Sequence, residues 1–124
     1  MNGDQKMMRM RIVTYDLFDV VVVPYPFTDR DSSKRRPALI CSCAENFNDD
    51  IGHSVMAMIT SAKNVAWPLD VMITDLKKTG LPSQSVIRMK LFTLDHRLVI
   101  KKVGTLGLKD QKAFAQSLQQ LIPL

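Results

Sequence analysis

The stretch Asp19-Val-Val-Val-Val-Pro-Tyr-Pro-Phe-Thr-Asp29 constrains the fold more than any other part of this chain. Four consecutive valines form an unbroken β-branched run. That pattern belongs to a strand covered on both faces, not to a half-exposed strand that alternates polar and apolar residues. Pro24 and Pro26 then end the ladder, because proline has no amide proton to donate to it. Further short runs follow. Ala38–Cys43, Ser54–Ile59, Ser85–Met89 and Leu98–Val103 read as strands, and Trp67–Ile73 reads as extended after Pro68. Polar and Gly/Pro-rich stretches separate them. Thr28–Arg36 reads as an exposed charged loop, Glu45–Gly52 as a turn or loop, and Leu76–Pro82 as a connection.

The period changes near the end of the chain. Leu108, Phe114, Ala115, Leu118, Leu121 and Ile122 recur at spacings of three and four, while Lys109, Lys112, Gln116, Gln119 and Gln120 fall on the other side. This is an amphipathic helix, with Gly107 as N-cap and Asp110 favourable in its first turn. Many short strands closed by one helix predict a mainly β fold, a small barrel or a highly curved sheet. The 124 residues, 46% of them hydrophobic, suit one domain with a real core. Residues 1–15 read as a flexible lead-in and residues 16–124 as that domain.

Composition excludes several classes of function. No apolar run approaches the roughly 18 residues of a membrane span, and Met1–Arg11 has no apolar signal core, so a cytoplasmic protein is expected. Cys41 and Cys43 would point to opposite faces of a strand, which disfavours a disulfide between them. A zinc site uses four ligands, and His53 and His96 have no ligand-like spacing to the cysteines, so no metal is expected. No Gly-rich phosphate loop and no Gly-x-Ser-x-Gly motif occurs. The net charge of +5 favours a polyanionic partner.

Within this frame a few side chains stand out. Arg36 precedes Pro37, which restrains its backbone towards extended geometry at the mouth of a strand. Its planar guanidinium suits a phosphate, and Lys34 and Arg35 add charge beside it, as an anion site or as an ordinary solvated basic loop. Thr60 and Ser61 end the third strand. Their hydroxyls either donate to an oxyanion or satisfy local backbone groups. Arg88 shares a strand face with Val86, so it snorkels, points into a polar cleft, or pairs with Asp75, Asp95 or another acid. His53 and His96 are general bases by type but lack an adjacent acid and nucleophile. Trp67 either stacks on a base or packs.

In order and spacing, these segments resemble the MazF/PemK toxin family. The resemblance rests on Asp19–Asp29, Lys34-Arg-Arg-Pro-Ala-Leu-Ile40, Ile59-Thr-Ser61, Trp67-Pro-Leu-Asp70, Gly80-Leu-Pro82, Ser85-Val-Ile-Arg88, Leu91-Phe-Thr-Leu-Asp95 and the Gly104–Leu121 region. It covers residues 16–122. It implies an SH3-like barrel of the CcdB/MazF type, usually a homodimer, acting without metal or cofactor as an endoribonuclease on single-stranded RNA. It further implies inhibition by a cognate antitoxin, and contact with operator DNA only through the toxin–antitoxin complex. Arg36, Thr60 and Arg88 are the implied catalytic residues, and Thr28, Lys34, Arg35, Ser61 and Lys90 the implied RNA-binding ones. Thr28–Arg36 would be the loop that closes over RNA. Two positions depart from the pattern. Phe18 stands where many relatives have glycine, and Lys90 stands where relatives often carry an acid, proposed as general base in some. The second departure motivates an alternative function for the same fold, a catalytically silent module that binds nucleic acid or antitoxin.

Overall fold

The computed structural model describes residues 14–25 and 34–124. One antiparallel six-stranded sheet dominates it. The strands are β1 (Asp19–Pro24), β2 (Arg35–Ile40), β3 (His53–Ser61), β4 (Val71–Met72), β5 (Ser85–Asp95) and β6 (Lys101–Thr105). Their spatial order is β4-β5-β3-β2-β1-β6. Register shifts interrupt β3–β5 between Ala57 and Ile59 and β1–β6 between Val20 and Val21. Irregularities of this kind bend strands and increase local twist, and the sheet curls into an open half-barrel. Among the described residues, three helices accompany it, α1 (Asp49–Ile51), α2 (Leu76–Thr79) and α3 (Leu108–Leu121), with a π-helical turn at Ala44–Asn48 and a 3₁₀ turn at His96–Leu98. This is the mainly β fold with a C-terminal amphipathic helix that the periodicities predict.

The valine run behaves as its composition requires. Val20 packs in a cluster with Leu39, Ala57, Ile59, Val71, Ile73, Ile87, Leu106 and Phe114, under α3. Val21 and Val23 face the other way, into a second cluster with Tyr15, Ala38, Ile40, Met56 and Leu94. Both faces of β1 are therefore covered. Tyr15 closes the second cluster and is itself buried, and its carbonyl accepts from the buried Asn48 side chain at 2.8 Å.

Element boundaries differ from the sequence expectation for identifiable reasons. β2 begins at Arg35 and ends at Ile40, three residues earlier at each end than the expected Ala38–Cys43. Its pairing to β3 starts only at Ala38 opposite Met58, so Pro37 sits where no bond to β3 is needed. Beyond Ile40 the chain turns around Asn48, whose amide donates to the Ser42 carbonyl at 2.8 Å. Glu45–Gly52 is thus largely helical rather than an open loop. Trp67–Ile73 is not extended throughout. Asp70 N donates to Trp67 O at 3.3 Å and Leu69 adopts φ 67°, a tight turn that leaves only Val71–Met72 as strand. Asp75 caps α2 from within the expected connection, accepting from Lys78 N at 3.3 Å.

β5 runs on to Asp95, past the expected end at Met89, because it keeps β3 as partner as far as His53. β6 starts at Lys101 and includes Gly104. A Cβ there would lie 2.5 Å from the Lys78 carbonyl oxygen and from the Thr79 carbonyl carbon, so α2 rests on bare backbone of β6.

His96 lies at the end of β5 remote from β4, buried, with Nε2 2.6 Å from Ser54 Oγ and its ring edge-on to Tyr15 at 5.2 Å. Burial, helped by the nearby His53, holds its pKa below the ordinary histidine value, against the opposing pull of Asp95 and Asp49. The folded pKa is depressed, so the unfolded chain takes up a proton that the fold resists. Stability is therefore lost as pH falls below the unfolded value of about 6.5 and levels off below the folded one. Thermal unfolding midpoints should fall between pH 7 and pH 5, and His96→Gln should flatten that slope. An unchanged slope in the variant would assign the acid sensitivity to other groups.

Candidate functional site

Side chains alternate across a strand, and residues paired between neighbouring strands project to the same face. Val23 pairs with Arg36, Ala38 with Met58, and Thr60 with Val86. Arg36 therefore shares a face with Ala38, Thr60 with Met58, and Arg88 and Lys90 with Val86. That face is the one whose buried part holds Val21, Val23, Ala38, Ile40, Met56 and Leu94. Its apolar half is closed and its other half carries Arg36, Thr60, Arg88 and Lys90. Arg36 and Thr60 each lie two residues beyond Ala38–Met58, the last β2–β3 pair at that end, and so on the same face. A guanidinium and a hydroxyl far apart in sequence thus stand on one face of the sheet.

Tyr25 is the aromatic surface between the cations. Arg36 Cζ lies 6.0 Å from its ring centre, and Lys90 Nζ lies 5.4 Å from it. The Lys90 ammonium also donates to Tyr25 Oη at 3.2 Å. Lys34 stands across from Tyr25, whose amide donates to the Lys34 carbonyl at 3.0 Å. Arg36, Lys34 and Lys90 are exposed. Arg35 and Ser61 occupy alternate positions on their strands and fall on the opposite face from Arg36 and Thr60. Ser61 Oγ instead accepts from Lys63 N at 3.2 Å, a local turn contact. Thr28 and the rest of the 28–33 segment lie outside the described residues.

Thr60 is set up to donate. Its Oγ1 accepts from Asn64 Nδ2 at 2.6 Å, so the hydroxyl proton points elsewhere. Arg88 takes the pairing option left open by the sequence, with Asp70. Its Nε and Nη2 reach Asp70 Oδ1 and Oδ2 at 3.2 and 2.9 Å, and Nη2 also donates to Val65 O at 2.7 Å. The guanidinium lies 4.8 Å from the Trp67 ring centre and its side chain is only 11% exposed. Burial raises the Asp70 pKa, but the Arg88 hydrogen bonds, the Trp67 amide and the Arg88 charge outweigh it and hold the carboxyl below its usual range.

A proton acceptor is harder to find here. His53 and Thr60 stand at opposite ends of β3, about 23 Å apart at a strand's rise, and His96 lies beside His53's end. Neither histidine reaches Thr60. Asp70 is the carboxylate that Arg88 engages, and both its oxygens are occupied. The Cys41 thiol is no nucleophile, since burial pushes it up to about 12. Among the described residues, no group of three or more His, Cys, Asp or Glu is placed to hold a metal ion. Also among them, no helix is long and apolar enough to cross a membrane.

Three participants were not singled out from sequence as parts of a site. Tyr25 had a signal, an aromatic between two prolines at the end of a buried strand. Asp70 lay within the Trp67-Pro-Leu-Asp70 motif without a role. Asn64 had no signal apart from its place four residues after Thr60.

A profile of PemK-like, MazF-like toxins of type II toxin–antitoxin systems matches residues 16–122. No curated protein sequence matches the chain. Among solved structures, MazF from Deinococcus radiodurans superposes with a TM-score of 0.71 at 21% identity, over 91% of this chain and 100% of that one. The Mycobacterium tuberculosis toxin MazF-mt6 gives 0.67 at 19% identity, over 86% and 97%. A mycobacterial endoribonuclease solved in complex with its cognate antitoxin gives 0.69 at 15% identity, over 89% and 96%. These likenesses show the SH3-like MazF fold. The profile spans nearly the whole chain, and on that ground the protein belongs to the PemK-like, MazF-like toxins of type II toxin–antitoxin systems.

Proposed function

We propose that this chain is a metal-independent endoribonuclease that cuts single-stranded RNA, acting as a homodimer in the cytoplasm. Residues 16–124 form its one functional domain. A cognate antitoxin restrains it, and operator DNA is met only through the toxin–antitoxin complex. The observation that carries the reading is the placement of exposed Arg36 and the donor-oriented Thr60 on one face. Lys34 and Lys90 add positive charge to that face, and Tyr25 offers a ring on which a base can stack.

The chemistry follows from these groups. The ribose 2′-oxygen forms a bond to the adjacent phosphorus as its proton departs, and the bond to the 5′-oxygen breaks. The products are a 2′,3′-cyclic phosphate and a 5′-hydroxyl, with the leaving oxygen taking up a proton from Arg36 or from water. Arg36 stabilises the negative charge gathered on the phosphorane, and Thr60 donates to a non-bridging oxygen. Lys90 stands where relatives often carry an acid. It supplies charge and not a base, and in the proposed mechanism water accepts the 2′ proton.

Incubating the purified protein with an RNA ladder in EDTA tests the reading. Fragments ending in a cyclic phosphate and starting with a 5′-hydroxyl are expected. A specific observation favours a second reading, that Asp70 is engaged by Arg88 and Lys90 replaces the acid. A silent binding module would retain RNA with a salt-dependent affinity and release no fragments, even at stoichiometric protein.

A further inference from the structure

We infer that Arg88 and Asn64 are positioning residues for Thr60, and that Arg88 acts through the 62–70 turn without touching the phosphate. This rests on the nuclease reading above and assigns the roles within its site.

The chain of contacts is short and directional. Asn64 Nδ2 donates to Thr60 Oγ1 at 2.6 Å. A hydroxyl that accepts from an amide is left with its own proton to give, which is the polarity needed towards a phosphate oxygen. Asn64 is itself held where the chain leaves β3, its amide donating to Ser61 O at 3.1 Å. The next residue, Val65, exposes its side chain to solvent, yet its carbonyl is gripped by Arg88 Nη2 at 2.7 Å. The same guanidinium uses Nε and Nη2 on Asp70, at the far end of the turn, and lies on the Trp67 ring between. Asp70 Oδ2 also accepts from Trp67 N at 2.9 Å.

Arg88 therefore ties Val65, Trp67 and Asp70 to β5, and this fixes Asn64 over Thr60. A guanidinium so engaged is a poor candidate for a mobile phosphate ligand. Lysine cannot reproduce its fork. Arg36 is exposed and, among the described residues, meets Tyr25 through a cation–π contact at 6.0 Å, a looser hold than the fork that fixes Arg88.

Double-mutant cycles test this in the full-length protein. Asn64→Ala and Arg88→Lys should each lower kcat by about tenfold with KM nearly unchanged, as expected for a hydrogen bond worth most in the transition state. Asn64→Asp should lose more kcat than Asn64→Ala, because the carboxylate would capture the hydroxyl proton. In a Thr60→Ala background, Asn64→Ala and Arg88→Lys should have little further effect. Full multiplication of either effect with Thr60→Ala would overturn the inference and place that residue on the substrate directly. Thermal unfolding of each variant separates loss of fold from loss of positioning.

A crystal structure of the RNA-free Arg88→Lys protein removes the dependence on turnover. Loss of the Asn64–Thr60 contact there, without cleavage by the wild-type protein, would reject the nuclease reading and keep the positioning role of Arg88. Cleavage by the wild-type protein with that contact intact in Arg88→Lys would do the reverse. No cleavage together with an intact contact would reject the two together.

Discussion

Arg36→Ala should lower RNA cleavage by about 10²- to 10³-fold, the effect of removing one preorganised donor from developing oxyanion charge, or roughly 2.7–4 kcal/mol of barrier. The loss should fall on kcat more than on KM, since the guanidinium matters most when charge gathers on the phosphorane. Its structural cost should be small. The Arg36 side chain is exposed and, among the described residues, meets Tyr25 only at 6.0 Å, so unfolding free energy should move by no more than about 0.5 kcal/mol. Arg36→Lys separates charge from geometry. It keeps the cation but loses the planar fork that matches two phosphate oxygens, so it should restore only part of the rate. Single-turnover cleavage of a fluorogenic oligoribonucleotide reads both variants. Wild-type rates in Arg36→Ala would remove the guanidinium from the reaction and with it the proposed mechanism.

Three arginine and lysine positions illustrate what was legible in the sequence. Arg36 was readable because Pro37 restrains it, and restraint by a neighbour in the chain is a local property. Thr60 was readable as the end of the third strand. That the two share a face was not readable from local pattern, because it depends on the β1–β2–β3 register, a relation between distant segments. Arg88 shows the limit more sharply. Period two correctly put it on the face of Val86, but its acid is Asp70 and not Asp75 or Asp95. The tight turn with Leu69 at φ 67° brings Asp70 back over β5, and nothing in Trp67-Pro-Leu-Asp70 read as extended chain foretold that reversal.

The fold followed the same rule. The valine run and the three-to-four spacing of the last helix identified the mainly β architecture and its cover, since both patterns record burial directly. Boundaries were less legible. β5 extends through Lys90 to Asp95 because β3 offers it partners, and a lysine on the open end of a face does not break a ladder. Lys90 itself carried a real signal as a departure from the family pattern. Its ammonium on Tyr25 puts another cation where the family pattern led one to expect a carboxylate.

The second large effect lies in the core. Phe114→Ala should destabilise the protein by about 3–5 kcal/mol, a major part of the 5–15 kcal/mol typical of a domain. Phe114 is 2% exposed and packs with Val20, Leu39, Ile59, Ile87 and Leu106, so it joins α3 to four strands and to the segment after β6. Truncating the ring leaves a cavity between rigid strand backbones that cannot collapse to fill it. Leu108→Ala on the same helix is the contrast. Leu108 is 71% exposed and should change stability by no more than about 0.5 kcal/mol. Urea unfolding should show the Phe114 midpoint lowered by at least about 1 M and the Leu108 midpoint nearly unmoved. The damage should also reach the site. Ser117 Oγ donates to Leu69 O at 3.0 Å, and buried Asp110 accepts from the amides of Thr74 and Asp75 at 3.0 and 3.1 Å. These contacts anchor the chain on both sides of β4, beside the Asp70 that engages Arg88. An α3 that docks loosely should therefore lower kcat in the fraction still folded. Equal midpoints for the two variants would mean that the helix is not seated on the sheet through Phe114.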